Sequence, residues 1–142
     1  MATVAQLLAQ KSPAVYSIEP DAPVLAAIAL LAEHGIGALL VIENQLLVGI
    51  VSERDYARKV ILCGRSSSDT PVSQIMSAPV LTVHPDQSTR ECMELVTNYR
   101  VRHLPVVEGG QVIGILSIGD LLRAALVEQQ QTIEQLERYI HS

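Results

Sequence analysis

Hydrophobic and polar positions along the chain follow the same pattern twice, with the second copy 65 positions after the first. Each copy opens with a short apolar run and a Pro-Asp turn. A stretch with helical periodicity and two apolar runs separated by a short polar turn then follow. This order predicts a βαββα unit, and its recurrence predicts an internal duplication. We therefore expect an α/β (α+β) fold made of tandem βαββα repeats related by a pseudo-two-fold axis.

The pattern gives approximate bounds for the elements. In the first half it predicts strands at 15–18, 38–42 and 46–51 and a helix at 23–34. In the second half it predicts strands at 80–83, 103–107 and 111–116 and a helix at 88–99. A second helix is expected to follow Ser52 and, in the other half, Ser117, since serine is a favoured N-cap. Short helical turns are expected at 4–9 and 72–76, one ahead of each half.

These elements predict four segments. Residues 1–65 form the first repeat with its leader helix, 66–71 a polar linker, 72–126 the second repeat, and 127–142 a helical extension. Along the final helix the apolar positions follow steps of three and four residues, interrupted at Gln129. Such a helix packs either on its own domain or on a partner subunit, and the pattern leaves both alternatives open. The apolar positions are Leu122, Leu126, Ile133, Leu136 and Ile140.

A glycine-serine-aspartate motif recurs in register at the junction of the last strand and the second helix of each half. It reads GIVSERD at 49–55 and GILSIGD at 114–120. With this motif in two βαββα repeats, the chain resembles a pair of CBS domains, also called a Bateman module, of the small stand-alone bacterial kind linked to signal transduction. The resemblance implies an adenosine-containing ligand (AMP, ADP, ATP, NAD or S-adenosylmethionine) in the cleft between the repeats. It also implies a homodimer, often a flat disc, that acts on a protein partner of unknown identity.

The residues of the motif suit a nucleotide in their own right. A helix start presents unpaired N–H groups that attract phosphate, and a capping serine can donate its hydroxyl to a phosphate oxygen. An aspartate one turn later can accept from both hydroxyls of a ribose. Ser52 with Asp55, and Ser117 with Asp120, are therefore the central candidates. The same spacing is also a variant capping box that needs no ligand.

The two halves differ around this motif. Arg54 stands where the second half has a glycine, and it could add charge for further phosphates. Arg102 and His103 correspond by position to Gly37 and Ala38, which leave room for a base or ribose. By resemblance, Arg102 and His103 are phosphate contacts. The second half also has the Leu-Pro-Val sequence of the family, whereas the first has Leu-Leu-Val.

The resemblance further implies that main chain near the first strand of each half contacts the adenine. Tyr16 could stack on the base or simply fill the core. Ser12, Ser77 and Leu81 are carried over in this way, and Val101 and Pro105, on either side of Arg102 and His103, are further ligand-binding candidates.

Composition narrows the function without naming it. The chain of 142 residues has no Trp and no Phe, so its core must be aliphatic. The net charge of −5 disfavours broad binding to nucleic acid. No apolar run is long enough to span a bilayer, and the first residues lack the basic start of a signal peptide. Two cysteines without C-x-x-C spacing fit a reducing cytoplasm.

The sequence contains no recognisable catalytic set and no metal-ligand spacing among its histidines and cysteines. We expect no catalytic residue and no metal site, and a regulatory protein instead of an enzyme. An adenine-nucleotide sensor is the leading hypothesis. A ligand-free scaffold for protein association and a nucleic-acid binder are the alternatives.

Overall fold

The computed structural model describes residues 2–11 and 14–141. The chain forms two compact units, one made of Val15–Leu81 and the other of Met1–Ala14 with Thr82–Ser142. This division differs from the predicted segments, because the N-terminal leader belongs with the second repeat and the leader at 72–76 with the first. Backbone hydrogen bonds explain the first grouping, since the amides of Val4 and Ala5 donate to the carbonyls of Gln87 and Pro85.

The unit Val15–Leu81 is a three-stranded sheet with its helices. Strand β1 (Ser17–Ile18) is parallel to β2 (Ala38–Glu43), which is antiparallel to β3 (Leu46–Ser52). Helix α2 (Val24–His34) connects β1 to β2 and ends at Gly35, whose φ of 62° is the left-handed conformation that favours glycine. After β3 come α3 (Glu53–Tyr56), a π-helical segment (Ala57–Ile61) and a 3₁₀ turn (Val72–Gln74).

The core of this unit is aliphatic, as the composition predicted. Apolar side chains of α2 meet the inner face of β2 and β3, and the leader turn closes one side with Val72 and Ile75. Each of these fully buried side chains contributes about 1.5–3 kcal/mol to folding. The other members of the cluster are Val24, Ala27, Leu31, Leu39, Val41, Val51 and Val60.

The other unit contains α1 (Val4–Ala9), α4 (Thr89–Tyr99), β4 (His103–Glu108), β5 (Gln111–Ser117) and α5 (Ile118–His141). Strands β4 and β5 form an antiparallel pair. The strand predicted at 80–83 is not formed. Val83 alone makes a parallel bridge to Val106, because Pro105 has no amide hydrogen to extend the pairing toward Leu81, whereas Leu40 in the first unit donates to the carbonyl of Tyr16.

Helix α5 changes character along its length. Its first turns pack on the unit, and Leu121 is fully buried. Every described side chain from Gln129 to His141 is exposed, including the apolar ones. The alternative in which the whole helix packs on its own domain is therefore wrong beyond the first turns.

Candidate functional site

In the unit Val15–Leu81 the serine and aspartate of the motif bind each other. The Oγ of Ser52 accepts from the amide of Asp55 at 3.2 Å, and Asp55 Oδ2 accepts from both the amide and the hydroxyl of Ser52 at 2.9 Å. The capping box predicted as the alternative is thus present. Asp55 Oδ1 lies 3.2 Å from the Nζ of Lys59, which also donates to the carbonyl of Ile75 at 2.9 Å.

Three of the candidate ligand residues, Gly37, Ala38 and Ser77, lie beside this motif. Ala38 pairs with Ser52 across β2 and β3, and the carbonyl of Gly37 accepts from the amide of Glu53 at 3.2 Å. The main chain of Ser77 pairs with Ile50, two residues before the motif serine. Glycine and alanine leave the strand end without bulky side chains at this point.

The second copy of the motif has the same cap and a denser set of charges. The amide of Ser117 donates to Asp120 Oδ2 at 2.8 Å, and the amide of Asp120 donates to Ser117 Oγ at 3.2 Å. Lys11 Nζ also donates to Asp120 Oδ2 at 2.8 Å and to the carbonyl of Ile115 at 2.7 Å. Arg123 donates to Asp120 Oδ1. This carboxylate therefore has cationic donors on both oxygens.

The charge pattern sets the protonation of this second site. Burial alone would raise the pKa of Asp120, but hydrogen bonds from Lys11 and Ser117, with the positive charge of Lys11, hold it below its usual value. Burial lowers the pKa of His103, and Lys11 and Arg102 lower it further against the opposing effect of Asp120. The lowered pKa favours the uncharged imidazole of His103, which lies next to the exposed Arg102.

Arg102 and His103 flank this motif as Gly37 and Ala38 flank the other. His103 pairs with Ser117 across β4 and β5, and the carbonyl of Arg102 accepts from the amide of Ile118 at 2.9 Å. Arg102 is exposed and His103 is half-buried. The four residues predicted to differ between the halves thus occupy matching places within their own units.

Other predicted residues lie farther from the motif chemistry. Tyr16 stacks on His34 with ring centroids 3.7 Å apart, which favours its packing role over a base contact. Arg54 is exposed on α3, Val101 and Leu81 are half-buried, and Pro105 is buried in β4. Ser12 lies outside the described residues.

Two lysines at the motif carboxylates were not predicted. Lys59 stands four residues after Asp55, a helical spacing that could have identified it. Lys11 is 109 positions away from Asp120, and no local pattern in the sequence connects them. Among the described residues no group of three His, Cys, Asp or Glu side chains could hold a metal ion. Within the same ranges no helix has the length and apolar character to cross a membrane.

The repeated motif and its two units agree with the comparisons with known proteins. The CBS domain model matches residues 4–62 and 72–127. The chain belongs to the CBS domain family. A CBS-domain pair is a regulatory module, and the matched repeats include both copies of the serine-aspartate motif.

Individual relatives support the same assignment. The mitochondrial CBS domain-containing protein CBSX3 of Arabidopsis thaliana is 41% identical over 125 residues, which cover 84% of this chain and 61% of that protein. A signal-transduction CBS protein structure from Burkholderia ambifaria is 51% identical, with a TM-score of 0.86, covering 90% of this chain and 96% of that one.

A more distant structure shares the fold alone. The CBS domain pair of protein MJ0100, solved in complex with 5′-methylthioadenosine and S-adenosylmethionine, is 22% identical with a TM-score of 0.80. The match covers 90% of this chain and 98% of that one.

Proposed function

We propose that this CBS-domain pair is a sensor that binds an adenosine-containing ligand, such as AMP, ADP, ATP or NAD, and transmits its occupancy to a protein partner. The observation that carries the proposal is the repetition of one polar arrangement in both units. In each, a capping serine and an ordered aspartate face the residue that begins the adjacent strand.

The free acceptor capacity of each aspartate limits how a ribose could bind. A carboxylate has about four acceptor positions. Within the described residues at least three donors already contact each of Asp55 and Asp120. A ribose that donates two hydroxyls must therefore displace one present donor. The lysines and Arg123 are easier to displace than the serines, because their flexible chains reach water while the serine donors belong to the helix cap.

The differences between the units favour the second as the phosphate-binding site. Arg102 is an exposed cation beside the Ser117 cap, whereas the first unit has only glycine and alanine at the matching strand start. The Ser117 cap also begins the 24-residue helix α5, while the Ser52 cap begins a four-residue α-helix that continues only through the five-residue π-helical segment. A long helix presents the stronger positive end to an anion.

The fold also accommodates adenosine compounds elsewhere. The MJ0100 pair was solved with two of them, and its likeness to this chain supports the capacity of the fold without fixing the ligand here. Binding measurements decide which of AMP, ADP, ATP, NAD and S-adenosylmethionine is the ligand.

The test is isothermal titration calorimetry with each of these five compounds on the wild type, Asp55→Ala, Asp120→Ala and Glu91→Ala. Glu91 completes another capping box with Ser88 at the start of α4, so its loss removes a cap of the same kind without touching either motif. We expect binding by the wild type and Glu91→Ala, and at least a tenfold loss in Asp120→Ala, about 1.4 kcal/mol.

A thermal-shift measurement with the same panel provides the second readout. A ligand at 100 times its dissociation constant adds about 2.7 kcal/mol to the stability of the wild type. No stabilisation by any of the five at millimolar concentration would overturn the proposal. That outcome would leave a ligand-free scaffold as the function, whereas equal losses of affinity in Asp120→Ala and Glu91→Ala would show that Asp120 acts through helix capping and not through contact with the ligand.

A further inference from the structure

The outer part of α5 carries an apolar stripe that its own unit does not cover. The stripe consists of Leu126, Ile133, Leu136 and Ile140, with exposed fractions of 64%, 43%, 58% and 73%. Leu126, Ile133 and Ile140 recur every seven residues, and Gln129 and Leu136 occupy the positions between them. These spacings are those of the a and d positions of a coiled coil.

A helix of this kind needs a partner. The segment 127–141 is at the length where an isolated helix is only marginally stable in water. Its exposed apolar stripe makes the isolated helix still less favourable in water. The acidic and basic residues beside the stripe then indicate which partner would cover it.

The charges beside the stripe fit a second copy of the same helix running in the opposite direction. When the a positions of one helix pack against the d positions of the other, Leu126 contacts Leu136 of the copy. The two-fold axis then crosses the helix pair at the level of residue 131. The flanking e positions then place Arg123 against Glu137 of the copy, and Glu137 against Arg123 of the copy. In a parallel pair Glu137 would instead face an uncharged threonine, at position 132.

We propose that the segment 122–140 of α5 forms an antiparallel two-stranded coiled coil with the same segment of a second copy of this chain. Arg123 is 72% exposed on its side chain and remains available to a partner despite its contact with Asp120. Gln129 packs in the central layers against Ile133 of the copy, where a single polar residue specifies the register. The inference is independent of ligand binding.

The first experiment is sedimentation equilibrium on the full chain and two variants. Ile133→Glu places a charge in the stripe, and Gln131→Glu places the same charge on the opposite face of the helix. We expect the wild type and Gln131→Glu to associate at least tenfold more tightly than Ile133→Glu. A monomeric wild type at about 100 μM, or equal masses for all three proteins, would overturn the proposal.

The second experiment tests the direction of the helices. Glu137→Lys would bring a lysine against Arg123 of the copy, whereas Glu134→Lys makes the same charge change outside the contact. We expect Glu137→Lys to weaken association roughly tenfold, with a smaller effect in high salt, and Glu134→Lys to change it little. Equal effects of the two variants would exclude the antiparallel arrangement. Circular dichroism confirms that each variant retains its helix content.

Discussion

At the scale of single residues, the two motif carboxylates differ in the origin of their lysine. Lys59 comes from the same helical segment as Asp55, while Lys11 comes from the leader and reaches Asp120 across 109 positions. Lys11 also acts on His103, since its charge helps to lower the pKa of that imidazole. One leader residue therefore contributes, beside burial, to the pKa shifts of both titratable groups at the second site.

The lowered pKa of His103 predicts how stability depends on pH. Below the ordinary histidine pKa of 6.5 the unfolded chain binds a proton that the folded chain resists, so stability decreases as the pH falls. The lowered pKa of Asp120 acts in the same direction in the more acidic range, as the folded carboxylate is titrated. We expect urea unfolding to show a decline between about pH 7 and 5 that is shallower in His103→Gln.

The control for this prediction is His84→Gln. His84 is exposed beside Asp86, and it lies in a loop instead of the second site. Its replacement should leave the slope of stability against pH close to that of the wild type between pH 7 and 5. An unchanged slope in His103→Gln would show that the imbalance in proton binding arises elsewhere.

At the scale of elements, the sequence predicted what depends on local pattern. The bounds of α2, α4 and the two hairpins were predicted to within one or two residues, because amphipathic periods and turn residues determine them. The strand predicted at 80–83 was wrong, because a pattern of apolar residues does not show where a proline removes the amide donor that strand pairing needs. The cap at Ser52 followed from spacing, whereas the Lys11 contact depends on long-range packing that no local pattern contains.

The leader segments pack against glycines in the last strands. A methyl group on Gly114 would lie 2.6 Å from a side-chain carbon of Leu8, and one on Gly49 would collide with the side chain of Met76. Each leader therefore needs a glycine on the strand beneath it. Since methionine bends around an obstacle more easily than leucine, the two glycines differ in tolerance.

We predict that Gly114→Ala lowers the free energy of unfolding by about 1–3 kcal/mol and that Gly49→Ala has a smaller effect. Urea denaturation of the two variants gives the comparison. Adding Leu8→Ala to Gly114→Ala should recover part of the loss, because it removes the colliding atoms. A double variant less stable than the sum of its single changes would contradict the assigned contact.

At the scale of the whole molecule, the chain builds one unit from both of its ends. The unit Val15–Leu81 is continuous, but the other joins the leader to the segment that begins at Thr82. The apolar pattern could not predict this exchange, because either leader supplies a similar short apolar turn to either repeat. Because each leader belongs to the compact unit of the other repeat, the units differ from the predicted boundary at 65. The two family matches still follow the sequence repeats.

This construction predicts a local effect of removing the leader. Deletion of residues 1–11 would expose the surface that Val4 and Leu7 now bury and would leave Asp120 without Lys11. We expect a loss of about 3 kcal/mol or more, given about 1.5–3 kcal/mol for each buried aliphatic side chain. Hydrogen exchange should show faster exchange in β5 and α4, with little change in β2 and β3.

Because only one unit contains the leader, hydrogen exchange can distinguish unfolding of that unit from unfolding of the whole chain. Deletion of residues 133–142 is the control, since the described side chains of 133–141 are exposed on their own unit and their loss should leave exchange in β5 unchanged. Faster exchange spread evenly over β2, β3 and β5 in the leader deletion would show that the units unfold as one. Because Lys11 connects the leader to the second motif, the same deletion should also alter ligand affinity at Asp120 more than at Asp55.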